Sequence, residues 1–130
     1  MHSFLLCIGS NYDSLKNITA VKELLIRYFP EIFFTQTSES EPYGKNYTNW
    51  FMNMLATFQS VHPFDTTNTI LKHIEHEMGR TSEDKKNGKV IIDLDIIAFD
   101  AKIVRPADYK RSYVQDLLKH IPHEYLTLEQ

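Results

Sequence analysis

Two aspartates interrupt an apolar stretch near residue 90, in "KVIIDLDIIAFD". A carboxylate inside a strand buried on both faces is costly, so Asp93 and Asp95 need a reason to be there. Side chains alternate between the faces of a strand. Val90, Ile92, Leu94, Ile96 and Ala98 would then point to the core, and Ile91, Asp93, Asp95 and Ile97 away from it. The two carboxylates would share one face, roughly 6.6–7 Å apart at Cα. Oxygens so placed suit a hard divalent cation such as Mg²⁺, and two such ions about 3.5–4 Å apart clamp phosphate groups. A D-x-D pair alone also fits a strand whose outer face is simply wet. The flanking Ile91 and Ile97 are a poor match to such a face, and two like charges repel unless something positive lies between them.

The elements that must position this pair can be read from periodicity. Residues 3–9, "SFLLCIG", form a strand. Residues 13–29 carry Leu15, Ile18, Val21, Leu25 and Tyr28 at helical spacing and stop at Pro30. Residues 31–38 are β-prone, and "SEPYGKN" is a loop broken by Pro42 and Gly44. Residues 50–59 form another strand. A second helix opens at Pro63 and Asp65 or Thr66, shows Ile70, Leu71, Ile74 and Met78 on one face, and is capped by Gly79. "RTSEDKKNGK" reads as a polar loop, residues 90–99 as the last strand, and residues 113–119 as a short helix. All four glycines fall at element ends on this reading. The order β-α-β-β-α-β is that of a ferredoxin-like α+β fold, an antiparallel sheet with helices on one face, expected as a single domain over residues 1–130.

The composition agrees with an ordinary globular chain: 130 residues, 42% hydrophobic and 24% charged. A net charge of -3 argues against a nucleic-acid partner. No basic signal-peptide start and no apolar run near ~18 residues is present. The expectation is a cytoplasmic protein, monomeric or weakly dimeric, without a membrane partner. The sequons at Asn17 and Asn46 are then chance matches. Cys7 is the only cysteine, set in an apolar run and expected as a buried, inert thiol. His73 and His76 lie i, i+3 on a helix with no H-E-x-x-H pattern and fit a solvated face, and His120 and His123 have no evident partner. Gly9-Ser10-Asn11 is not a P-loop.

"IGSN" at 8–11, "EPYG" at 41–44, "FMN" at 51–53, "IEHEMGR" at 74–80 and "IDLDI" at 92–96 occur in one order. Together they resemble the 6-hydroxymethyl-7,8-dihydropterin pyrophosphokinases of folate synthesis, over about residues 3–120. That resemblance implies a ferredoxin-like fold and transfer of pyrophosphate from ATP to the pterin hydroxymethyl oxygen, giving AMP. It implies that Asp93 and Asp95 hold two Mg²⁺ ions on the ATP phosphates. It places the pterin between Phe51 and Tyr113, hydrogen-bonded to Asn53 and to the loop of Ser40, Glu41, Pro42 and Tyr43. Glu75, Arg80 and Arg111 correspond to positions beside the nucleotide, with Arg80 also among the catalytic residues. An arginine suits a phosphate because its planar fork donates two bonds at once.

The likeness has gaps in the phosphate region. Ser82 stands where the family has a second arginine, and Asn87, Gly88, Lys89 and Val90 stand where it has Trp-Gly-Pro-Arg. Lys89, or else Lys85 or Lys86, is the expected substitute. Pro106 is followed by Ala107 and Asp108 rather than histidine, and the chain ends earlier than in longer members. Three readings therefore stand: a short working enzyme, a slow or substrate-shifted one, and a weakened pterin- or nucleotide-binding module. A regulatory ferredoxin-like domain would lack "FMN" and "IDLDI".

Overall fold

The computed structural model describes residues 1–42 and 49–126, apart from the side chain of Lys85. Tyr43, Gly44 and the sequon at Asn46 lie outside the described residues. The elements run β1 (His2–Ser10), α1 (Ser14–Tyr28), β2 (Phe33–Phe34), β3 (Ser38–Ser40), β4 (Phe51–Ser60), α2 (Phe64–Glu77), α3 (Ser82–Lys86), β5 (Asp93–Phe99), β6 (Lys102–Ile103), α4 (Pro106–Tyr109) and α5 (Ser112–Leu118). The strands form one antiparallel sheet in the order β2-β4-β1-β5-β6, with β3 also paired to β4. The expected βαββαβ frame is present, its second strand divided into β2 and β3. Thr35 bridges the division: its amide donates to Leu55 O, and its hydroxyl accepts from the Leu55 amide.

β1 is central, between β4 and β5. Both its faces are covered, which is why its sequence is apolar without alternation. On one face α1 and α2 bury Ile18, Val21, Leu25, Leu71 and Ile74 against Leu6, Ile8, Met54, Ile92, Leu94 and Ile96. Each fully buried Leu or Ile here contributes roughly 1.5–3 kcal/mol by leaving water. Leu15 and Tyr28, expected on this face of α1, are exposed. The stripe is narrower than the spacing suggested, because Ile18, Val21 and Leu25 already fill the contact. On the opposite face α5 sets Val114 and Leu117 on Leu5, Leu55 and Ile97. Among the described residues no helix is long and apolar enough to cross a membrane.

Several local expectations are corrected. β5 begins at Asp93 rather than at residue 90, because Val90 is taken by Asn11: its amide donates to Asn11 Oδ1 and its carbonyl accepts from the Asn11 amide. Ile91, ahead of the strand, therefore packs with the α1/α2 core and not on the aspartate side. A register shift between Leu5 and Leu6 then moves Ala98 to the α5 side, beside Ile97. Gly9 lies within β1, paired with Asn53 on one side and Asp93 on the other, not at an element end.

A further correction concerns the polar segment after α2, which is ordered by two consecutive glycine stops. Gly79, at φ +93°, closes α2, with Gly79 N–H donating to His76 O and Arg80 N–H to Glu75 O. This paired pattern is a Schellman cap. Thr81 then opens α3, its hydroxyl accepting from the Asp84 amide, and Gly88, at φ +74°, closes it with Lys89 N–H donating to Asp84 O. Arg80 is thus delivered to β5 by a turn that a side chain at residue 79 would oppose. An added Cβ there meets nothing within 4 Å, so the penalty is purely conformational. Gly79→Ala is expected to lower stability by about 1–2 kcal/mol in denaturant melts, and Gly79→Asn by less.

Candidate functional site

The period-2 geometry of β5 places Asp93 and Asp95 on the face away from α1 and α2, as the alternation required. Each sits in a row across three strands. Asp93 faces Gly9, which faces Asn53; Asp95 faces Cys7, which faces Leu55. At about 4.7–4.9 Å per strand step, Asn53 and Asp93 lie roughly 10 Å apart at Cα, with only a glycine between them. An added Cβ on Gly9 would come 3.4 Å from Asn53 Oδ1 and 3.9 Å from the Phe51 ring. Phe51 and Asn53 therefore share the aspartate face. Asn53 is buried and held by Ser40, whose Oγ accepts from Asn53 Nδ2 at 2.8 Å, and more loosely by Ser38 O at 3.4 Å. Tyr113 is half-buried and packs from α5 against the cluster of Leu5, Leu55 and Ile97. Glu41 is exposed and Pro42 half-exposed. Tyr43 lies outside the described residues.

Cations surround the carboxylates. Arg80 Nη1 reaches Asp93 Oδ1 at 2.7 Å, Glu75 Oε2 at 3.0 Å and the Ile92 carbonyl at 3.2 Å. Lys72 Nζ lies 3.1 Å from Glu75 Oε2, 2.8 Å from Leu94 O and 3.6 Å from Asp95 Oδ1. Arg105 Nη1 lies 3.8 Å from Asp95 Oδ1. Glu75, expected beside a nucleotide, is buried, and Oε2 also accepts the Leu94 amide at 2.7 Å. It thereby joins α2 to β5 and orients both Lys72 and Arg80. An open depression of about 340 Å³ is lined by Lys72, Glu75, His76, Arg80, Thr81 and Ser82. A larger one of about 460 Å³ lies at the far end of the sheet, against Leu5, Thr57, Phe58, Ala98 and Tyr125. It has no comparable cluster of opposed charges.

Not every expected residue arrives. Lys89 Nζ sits 4.0 Å from the centre of the Tyr12 ring, a cation–π contact that commits it to Tyr12 and not to the carboxylates. Lys86 is exposed on α3. Arg111 contacts Asp108, Nε to Oδ1 at 3.4 Å. Cys7 is half-buried beside Asp95; loss of solvation, then the charges of Asp95 and Asp93, push its thiol up, consistent with the inert thiol expected. His73 pairs with Glu77 on an exposed helix face. Sequence reasoning missed Asn11, Lys72, Arg105 and Asp108. Lys72–Glu75, Arg105–Asp108 and Asp108–Arg111 all have i, i+3 spacing, a readable signal; Asn11 was quoted in a motif but given no role.

The electrostatics separate the two aspartates. Burial opposes ionisation of Asp93, but a hydrogen bond from Asp95, the charge and hydrogen bond of Arg80, and the charge of Lys72 outweigh it, so its pKa is lowered. Asp95 is pushed up to about 6, first by burial and then by the charge of Asp93. Below about pH 6 the two carboxylates share one proton, and a cation could take that proton's place. Among the described residues no group of three acidic, histidine or cysteine ligands gathers. The donor set fits a hard ion that keeps water and phosphate oxygens as its remaining ligands. A raised carboxyl pKa makes stability fall as pH rises from the unfolded value, near 3.8, to the folded value. In the metal-free protein, the stability advantage of Asp95→Asn over the parent is therefore expected to grow between about pH 4 and 6 and stay level to pH 8. Denaturant melts across that range check it, and a gap independent of pH would contradict the shared proton.

No curated protein matches the chain. A sequence model of the family described as 7,8-dihydro-6-hydroxymethylpterin-pyrophosphokinase matches residues 5–127, a span that holds the antiparallel sheet apart from the first residues of β1, both carboxylates and their surrounding cations. That family carries a folate-pathway pyrophosphokinase role, and its enzymes use ATP and Mg²⁺. With nearly all of its length matched, the chain belongs to the 7,8-dihydro-6-hydroxymethylpterin-pyrophosphokinase family.

Proposed function

We propose that the chain, as one domain over residues 1–130, transfers pyrophosphate from ATP to the hydroxymethyl group of 6-hydroxymethyl-7,8-dihydropterin and releases AMP, in the cytoplasm. The observation that carries this reading is the row Asn53–Gly9–Asp93. It joins a buried amide able to read a heterocycle to a carboxylate pair able to hold cations, across a floor kept clear by glycine.

In this reading the pterin lies between Phe51 and Tyr113. Asn53 pairs with its ring through an amide that both donates and accepts, and Ser40 keeps that amide in one rotamer. Backbone groups of the loop containing Ser40, Glu41, Pro42 and Tyr43 complete the polar contacts. The pterin oxygen attacks the β-phosphorus of ATP, the bond from that phosphorus to the AMP oxygen breaks with its electron pair remaining on AMP, and the hydroxyl proton passes to solvent. Such transfers depend on positioning and charge neutralisation rather than on a covalent enzyme intermediate. Asp93 and Asp95 would hold two Mg²⁺ ions, which when bound neutralise the triphosphate. Arg80 binds phosphate oxygens after exchanging its bond to Asp93, while Glu75 keeps the guanidinium in place. Arg111 contributes from the start of α5. Lys89 fits an ATP contact only if it leaves Tyr12.

A second reading has a specific observation behind it. Residues 81–92 contain no arginine, and Lys89 is turned to Tyr12, which suits a pterin- or nucleotide-binding module with weakened catalysis. Mass-spectrometric detection of pyrophosphorylated pterin and AMP separates the two. The enzyme reading expects both products only with pterin, ATP and Mg²⁺ together, and loss to background in Asp93→Ala and Asp95→Ala. Calorimetric binding without product would establish the module instead, and full activity in either variant would remove the assigned carboxylate role. Gly9→Ala gives an independent check on the floor. It is expected to change stability by less than about 1 kcal/mol yet weaken pterin binding, read by titration calorimetry.

A further inference from the structure

We propose that Arg105 is a phosphate-binding residue of this site, aimed by Asp108, and that it supplies charge which residues 81–92 do not. The proposal rests on the pyrophosphokinase reading above and names a residue for its ATP subsite.

Three cations flank the carboxylates, and their commitments differ. Arg80 has its terminal nitrogen on Asp93, Glu75 and the Ile92 carbonyl. Lys72 is spent on Glu75 and the Leu94 carbonyl. Both tie α2 to β5 through buried Glu75, so that only the bond from Arg80 to the part-exposed Asp93 can be exchanged without leaving a buried acceptor unmatched. Arg105 is held differently. Nε donates to Asp108 Oδ2 at 2.7 Å, and Nη1 stops 3.8 Å from Asp95 Oδ1, too far for a hydrogen bond. Among the described residues the terminal nitrogens of Arg105 make no hydrogen bond. Half of the side chain is exposed, 49%, so a ligand can reach the fork. The same Asp108 also contacts Arg111 through Oδ1 at 3.4 Å. One carboxylate thus steadies two guanidinium groups, one on each side.

The backbone fixes the direction of approach. The β5–β6 hairpin returns the chain beside Ile97, whose carbonyl accepts from the Val104 amide at 2.8 Å and the Arg105 amide at 3.3 Å. Pro106 then starts α4, which brings Asp108 back to Arg105 one turn later. Arg105 is thereby brought to Asp95 Oδ1, the same oxygen that Lys72 approaches from α2. A triphosphate drawn to this face would meet Arg80 beside Asp93 and Arg105 beside Asp95. Arginine suits that position because its free pair of donors matches a phosphate's oxygens.

The test compares Arg105→Ala, Arg105→Lys and the parent, all as the full chain, with thermal melts to confirm folding. Two probes are titrated with Mg²⁺ present: α,β-methylene-ATP, which cannot transfer pyrophosphate, and adenosine, which has no phosphate. Arg105→Ala is expected to bind the ATP analogue about 10–100-fold more weakly, the loss of one charged hydrogen-bonding group, and adenosine unchanged. Arg105→Lys should recover part of that affinity. Analogue affinity within twofold of the parent, or an equal loss for adenosine, would overturn the proposal. A parent that forms no pyrophosphorylated pterin would instead sink the functional reading, while the analogue titration would still decide Arg105.

Discussion

Like charges forced onto one face of a sheet govern the arrangement of everything near them. Asp93 and Asp95 cannot both ionise at low cost without compensation, and the ligand-free chain provides it from its own side chains. Arg80 answers Asp93, Lys72 and Arg105 stand near Asp95, and below about pH 6 a proton on Asp95 covers the remainder. Glu75 anchors this balance, since its buried oxygen accepts from Leu94, Lys72 and Arg80 together. The carboxylates are thus already oriented and already paired with substitutes for an incoming cation. Under the proposed function, binding would exchange partners rather than build a site, which would reduce the ordering that a ligand must impose.

The fold serves this balance by dividing labour between the faces of one sheet. α1 and α2 bury the aliphatic face and carry most of the packing. The other face is split along the strands. Toward the start of β5 it carries Asn53, Gly9 and the aspartates. Toward the other end α5 covers Leu5, Leu55 and Ile97 with apolar side chains. α2 contributes to both roles, with Leu71 and Ile74 in the core and Lys72 and Glu75 at the edge toward the carboxylates. Gly79 closes that helix and turns Arg80 toward Asp93, so a backbone preference at one residue sets the direction of a charge.

Much of this was legible in the chain, and the reasons are local. Strand alternation placed Asp93 and Asp95 together because period 2 holds wherever pairing is regular. It failed at Ala98, where a register shift in the β1–β5 pairing adds a residue, and at Ile91, where Asn11 has captured Val90. Neither event has a local signature. The order within residues 80–90 was missed although its signals are present: Thr81 and Asp84 at capping-box spacing, and Gly88 where a stop belongs. A polar composition concealed them. Lys89 looked like a substitute cation, yet its contact with Tyr12 joins residues far apart in sequence. Arg105 and Lys72 gain meaning only from Asp95, which no periodicity links to them.

The offset between β1 and β5 has a bearing on how the chain tolerates change in length. It lies beyond the aspartates, toward Phe99 and the turn into β6. A residue gained or lost past that point can be absorbed by the offset and the neighbouring turn, while the pairing of Gly9 with Asp93 and of Cys7 with Asp95 stays as it is. The same change placed between Val90 and Asp93 would rotate both acids into the aliphatic interior. Length variation across relatives of this chain should therefore collect downstream of the acidic pair and be scarce just ahead of it.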